Sequence, residues 1–340
     1  METKELLRTL TDVNGVSGRE NNVADVAKAI LGEYMDVKID HNGNVVGLRD
    51  GKGKHILLDA HIDQIGLVVT AIDDNGFLKV GAVGGVDRRI LSANRLTVWG
   101  KEPILGIVCS TPPHLAKSGD NSVKEINDIF IDVGMTAERA REIVSVGDAV
   151  TYDQSFAELM NGRVTSKSLD DRAGIAVLLK AVEYVCQTDC DAKLSVLFSV
   201  QEEVGTRGAG TGAFNIVPDE AISVDVSFAL APDLPRHKCG AIDGGPMIGV
   251  SPVLNPIMTN ELKRIAEQNN IPYSLEIMGG ETGTNADAIS LTAQGVPTAL
   301  ISIPQRNMHT PVEVVSVKDV ESCARLIADY IIENGGSINA

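Results

Sequence analysis

The rhythm of this sequence changes twice. Near both ends, apolar runs of strand length alternate with amphipathic stretches of helix length. Between about Gly66 and Asp153 that alternation stops. Short β-like runs follow one another there, at Leu67–Ile72, Phe77–Val80, Arg95–Trp99, Ile104–Cys109, Ile129–Val133 and Ala149–Tyr152, with Gly-containing turns between them. A single helix is predicted among them, over Ala137–Val144. Alternating strands and helices build a layered sheet, whereas successive short strands close into a small barrel or sandwich. The spacing therefore predicts an α/β domain made of residues 1–65 and 163–340, interrupted by a β-rich insertion at 66–162.

The flanking elements follow from periodicity. Val23, Val26, Ala27, Ile30, Leu31 and Tyr34 form one apolar stripe, and so predict a helix. A hairpin is expected from Val37–Asp40 and Val45–Leu48, joined through Asn42-Gly43. The apolar run ending at Asp59 reads as a buried strand. After Gly162 helices are predicted over Arg172–Val185, Gly210–Ile216, Ile257–Asn269, Ala286–Ala293 and Val317–Ile332. Strands are expected at Lys193–Val200, Ala221–Val226, Tyr273–Ile277 and Thr298–Ile303. The polar stretch Lys117–Asn127 is expected to be a mobile loop.

Composition excludes several classes. With 30 Lys+Arg against 46 Asp+Glu, the net charge of −16 offers no clustered cation for nucleic acid. No apolar run approaches the ~20 residues that span a bilayer, so no membrane partner is expected. Five cysteines suggest no disulfide framework, and the first residues carry no signal-like segment. A cytoplasmic location is the expectation.

Acids and histidines gather where the predicted strands end. Asp59-Ala-His61-Ile-Asp63 follows one apolar run, and residues two apart on a strand share a face. His61 could therefore bind a metal while Asp63 orients it. Ser168-Leu-Asp170-Asp171 opens a helix; Ser168 and Asp171 resemble a capping box, whereas Asp170 is free to bridge cations. Glu202 and Glu203 close the strand Leu194–Val200. Two adjacent carboxylates there repel unless a cation or proton lies between them, so Glu203 could ligate while Glu202 acts as general base. Asp225 and His309 complete the set. Singly, each reads as readily as a solvated strand end. Together they sit where an open α/β sheet binds ligands, beyond the carboxyl ends of its strands. Two His and three carboxylates, one of them shared, suit two divalent ions, with zinc first and cobalt or manganese as alternatives. The glycine-rich Gly279–Asp287 has no Lys and is expected to cap a helix after Thr284 rather than to bind phosphate. His41, His55, His114 and His237 have no acidic company at suitable spacing and read as structural.

At these same residues the chain resembles the tetrahedral (TET) aminopeptidases, a dinuclear metallopeptidase family whose members are also labelled cellulase M or endoglucanase M. The matching segments are Asp59-Ala-His-Ile-Asp63, Ser168-Leu-Asp-Asp-Arg-Ala-Gly174, Val200-Gln-Glu-Glu-Val-Gly205, Ser223-Val-Asp225 and Met308-His-Thr-Pro311. Thr111-Pro-Pro-His114 and Ile129-Phe-Ile-Asp-Val-Gly134 match within the insertion. The resemblance implies a clan-MH α/β/α catalytic domain with an inserted PDZ-like β-barrel used for dimerisation. It implies that His61 and Asp225 hold one metal, Glu203 and His309 the other, and that Asp170 bridges them. Glu202 would be the general base and Asp63 would support His61. Short peptides trimmed at a free N-terminus would be the substrates, and dimers that build a hollow dodecamer would be the assembly. Relatives often carry an aromatic residue two before the metal-binding His, where Asn307 stands here.

Two other readings stay open at this stage. A glycoside hydrolase would use two carboxylates such as Glu202 and Asp170. It is disfavoured by the scarcity of aromatic platforms, with six Phe, five Tyr and one Trp in the chain. A dinuclear deacylase on the same scaffold would use the same metal site on another amide.

Overall fold

The computed structural model describes residues 1–112, 114–115 and 122–336. Residues 117–121 of the expected mobile loop lie outside that set. The chain opens with helices α1 (Thr3–Thr11) and α2 (Asn21–Leu31), then the hairpin β1 (Asp36–Ile39) and β2 (Val45–Arg49), then β3 (His55–His61). The inserted strands are β4 (Gly66–Ile72), β5 (Leu78–Val83), β6 (Arg95–Trp99), β7 (Pro103–Val108), β8 (Phe130–Asp132) and β9 (Ala149–Tyr152), with α3 (Ala137–Ile143) among them. Next come β10 (Ala157–Glu158), β11 (Arg163–Ser166), α4 (Leu169–Cys186), β12 (Lys193–Ser199), α5 (Arg207–Ile216) and β13 (Glu220–Phe228). The chain ends with β14 (Met247–Val250), α6 (Pro256–Gln268), β15 (Ser274–Ile277), α7 (Asn285–Ser290), β16 (Thr298–Gln305), β17 (Glu313–Ser316) and α8 (Val317–Asn334).

One eight-stranded sheet runs in the order β1-β2-β12-β3-β13-β16-β14-β15. Its centre, β12-β3-β13-β16, is parallel and carries near-continuous apolar runs, as strands buried on both faces must. Even-numbered residues of β3, β12 and β13 (Ile56, Leu58, Val196, Ile222, Val224) pack with α4 and α8 in the main core. The opposite face, with Leu57, Leu197 and Ala221, is covered by Ala209 and Ala213 of α5 and Ile289 of α7. The six inserted strands close as a barrel, β4-β5-β8-β7-β6-β9, around a separate core that includes Val69, Val80, Val98 and Ile131. An α/β sheet plus a closed antiparallel barrel is thus the observed fold class.

The structure corrects one local expectation. Ser168 does not cap α4: it has a left-handed backbone (φ 56) and its side chain accepts no cap bond. Asp170 and Asp171 are also non-helical, and the peptide between them is cis. The regular helix begins at Arg172, where periodicity placed it, and Asp171 caps it by accepting from the Gly174 amide at 2.9 Å. Five strands and helices went unread in the sequence: α1, β10, β11, β14 and β17. In α1, Leu6, Leu7 and Leu10 are buried. In β14 a glycine interrupts the apolar run. No helix among the described residues is long and apolar enough to cross a membrane.

Candidate metal centre

Parallel pairing brings the carboxyl ends of β3, β12 and β13 to one edge of the sheet, on the face covered by α5 and α7. His61 closes β3 opposite Ser199 of β12. Two residues on, Gln201 (φ 59) turns the chain so that Glu202 and Glu203 follow the strand end. Asp225 lies on β13, paired with Ser302 of β16. Ser168 (φ 56), Asn307 (φ 57) and His309 (φ 62) share the left-handed conformation of Gln201. Such backbone costs on the order of 1 kcal/mol or more per residue and gathers at functional sites.

Asp170 stands between the two histidines. Its Oδ1 lies 3.0 Å from His61 Nε2, and its Oδ2 lies 3.2 Å from His309 Nε2. Asp225 Oδ1 is 3.9 Å from the same His61 nitrogen, and Glu203 Oε1 is 3.4 Å from the His309 nitrogen. Two potential metal-binding groups result, His61-Asp170-Asp225 and Asp170-Glu203-His309. They share one carboxylate. The donor set, imidazole nitrogens with carboxylate oxygens and no thiolate, fits two borderline divalent cations.

Outer partners hold these side chains. Asp63, fully buried, accepts from the amides of Glu202 (2.9 Å) and Glu203 (3.2 Å) and from Ser17 Oγ (2.5 Å). It therefore fixes the two glutamates as well as standing 3.4 Å from His61 Nδ1. Glu313 was not anticipated. Its Oε1 accepts from the His309 amide at 3.0 Å and its Oε2 from the Asp170 amide at 3.1 Å, so one buried carboxylate ties the shared residue to the second histidine. Gly85, on the loop after β5, accepts at its carbonyl from His309 Nδ1 at 3.1 Å, leaving Nε2 to face the carboxylates. A Cβ there would meet that nitrogen at 2.6 Å, so the position requires glycine. The barrel insertion thus contributes directly to the site.

The electrostatics follow from burial and crowding. Burial, reinforced by Glu203 and Asp170 and opposed by His61, pushes Glu202 up to about 7. Burial and the neighbouring carboxylates also raise Asp225. Hydrogen bonds to Asp170 and Glu203 push His309 up to about 11. Despite its burial, His61 is raised by Asp170 and Asp63. Despite full burial, Asp170 is held below the usual carboxylate range by the two imidazoles.

A cavity of about 1000 Å³ opens over this edge, lined by His61, Asp170, Glu202, Glu203, Asp225 and His309 among others. The seven residues singled out in the sequence therefore lie together. Thr284 caps α7 through the Ala286 amide (3.2 Å), and Gly279 and Thr282 before it line the cavity. His237, read as structural, instead lines the cavity and is exposed. His114 is exposed, and His55 bonds Ser195 Oγ at 2.8 Å.

A family model of M42 glutamyl aminopeptidases matches residues 43–326. The chain belongs to this family. It is 33% identical to the lysyl aminopeptidase of Pyrococcus furiosus, over 95% of this chain and 94% of that one. It superposes on an aminopeptidase from the archaeon Desulfurococcus kamchatkensis with a TM-score of 0.92 and 35% identity, covering 99% of each chain. The TET1 peptidase of Pyrococcus horikoshii, described as assembling into a tetrahedron or a large octahedral shell, gives a TM-score of 0.87 and 30% identity over 98% of this chain and all of that one. This M42 protein is accordingly a peptide-bond hydrolase of aminopeptidase type, and that reading is favoured over the glycosidase one.

Proposed function

We propose that this M42 aminopeptidase removes the first residue of short peptides at a site built for two divalent cations. The observation that carries the reading is the division of Asp170 between His61 (3.0 Å) and His309 (3.2 Å). His61 and Asp225 would hold one cation, Glu203 and His309 the other, with Asp170 common to both. Zinc suits the donors best, and cobalt or manganese would also fit. When bound, such a pair supplies Lewis acidity to a scissile carbonyl and lowers the pKa of a water.

The chain's own residues do the rest. Glu202, anchored through its amide to Asp63, would accept a proton at its carboxylate and return it to the leaving amine. A carboxyl pushed up to about 7 is matched to both transfers near neutral pH. Asp63 would keep Glu202, Glu203 and His61 in register. We further propose domain limits of 1–65 plus 163–340 for the catalytic unit and 66–162 for the barrel. Leu105 and Ile107 on β7 are 50% and 40% exposed, which supports the barrel as a self-association surface. Light scattering on the purified protein would test that.

The decisive experiment assays aminoacyl-p-nitroanilides and their N-acetylated counterparts on metal-loaded protein. Cleavage of the free-amine series alone, lost on chelation and reduced about 10²-fold or more in Glu202→Gln, is the expected result. Activity that survives complete metal removal would overturn the reading.

A further inference from the structure

We propose that Glu276 forms the anionic wall of the pocket that receives the substrate's first side chain, and that it selects a cationic one, lysine or arginine. The proposal rests on the aminopeptidase reading above. Asp225 and Ser227 are two apart on β13 and face the same way, and Ser302 pairs with Asp225 from β16. Both serine hydroxyls are directed at one carboxylate. Ser302 Oγ donates to Glu276 Oε2 at 2.6 Å, and Ser227 Oγ donates to Glu276 Oε1.

Those two bonds leave most of the carboxylate's acceptor capacity unused. Among the described residues no Lys, Arg or His of the chain forms an ion pair with Glu276, in contrast with Asp170 or Asp243. It is partly buried and lines the same cavity as Asp225 and Glu202. A half-buried anion held in one orientation and facing a cavity is a receptor for a cation.

The position suits the charged head of a long side chain. Glu276 stands on β15 and reaches back across β14, so that its carboxylate meets Ser302 on β16 and Ser227 on β13. Ser227 lies two residues beyond Asp225 on β13, roughly 6.8 Å along the strand, so a substrate whose amine sits beside Asp225 presents a side chain of lysine or arginine length to Glu276. Met247, Met278 and Leu300 line the same cavity. Such walls suit the methylene stem of lysine or arginine, whose charged head then meets the carboxylate. Lys238 and His237 also line the cavity but are exposed, whereas an acidic side chain reaching inward would meet Glu276.

The test is the ratio of kcat/KM values across Lys-, Arg-, Leu-, Met- and Glu-p-nitroanilide with metal-loaded wild-type protein, repeated with Glu276→Gln. The wild type should favour Lys and Arg over Leu by about tenfold or more, with Glu last. Glu276→Gln should collapse the Lys/Leu ratio by a similar factor, mainly through KM. A wild-type preference led by Leu or Glu overturns the assignment while leaving the aminopeptidase reading intact. A uniform loss across all substrates in Glu276→Gln also overturns it, because that pattern marks an α-amine or structural role. Failure of the wild type on every free-amine substrate would instead count against the aminopeptidase reading itself.

Discussion

The two halves of the candidate metal centre are built differently. His61 belongs to a central parallel strand and is 2% exposed, and its partner Asp225 lies on the next strand of the sheet. His309 is 32% exposed and lies between β16 and β17 with a left-handed backbone. The first half inherits its geometry from sheet register. The second is assembled from loops and depends on tethers: Asp63 to the Glu203 amide, Glu313 to the His309 amide, and the Gly85 carbonyl to the His309 ring. A register-built half should hold its cation with less ordering cost than a tethered one.

The largest effect should come from erasing the difference. Asp170→Ala removes the carboxylate common to both halves and should lower kcat/KM by about 10³-fold or more, with metal content falling at both sites. Substitution of the tethers should separate the halves. Gly85→Ala should weaken one of the two cations by about tenfold to a hundredfold in a competitive chelator titration, and leave the other near its wild-type affinity. Equal weakening of both would mean that the halves are not independent.

Proton competition is the next effect. The carboxylates raise both imidazoles, His309 to about 11, so protons compete with a cation for these rings. Metal uptake should therefore release protons, and apparent affinity should fall as pH drops from 8 to 6. Calorimetry in buffers of different ionisation enthalpy reads this directly.

The smallest effect concerns the floor beneath the tethered half. Lys167 is 8% exposed, donates to the Thr11 carbonyl at 2.7 Å, and is pushed down to about 7 by burial and by Arg172. Its folded pKa lies below the unfolded one, so the unfolded chain binds more protons between about 7 and 10.5. Stability should then rise with pH across that window, by at most about 1.4 kcal/mol per pH unit. In urea unfolding at pH 7 and 9, Lys167→Met should show a smaller rise than the wild type.

Much of this contrast was legible in the sequence, but unevenly. His61, Glu202, Glu203 and Asp225 follow or end apolar runs of strand length and Asp170 opens a predicted helix, so the alternation that predicts the sheet also predicts where they gather. The break in rhythm at Gly66 marked the barrel for the same reason. The tethers were not legible. Glu313 reads as an ordinary strand residue, and only tertiary packing shows its carboxylate under both Asp170 and His309. Gly84-Gly85 reads as a turn, and nothing local tells that His309 lies against it. The capping-box pattern at Ser168 misled because the left-handed Ser168 and non-helical Asp170 turn the chain toward the site before the helix begins.

The most direct test of two unequal halves sharing Asp170 is a metal-binding isotherm of the wild type beside His309→Ala, with activity followed in the same samples. Two sites of different affinity in the wild type, and only the tighter one left in His309→Ala with activity lost, are the predicted result. One class of site in the wild type, or loss of both cations in His309→Ala, would contradict it.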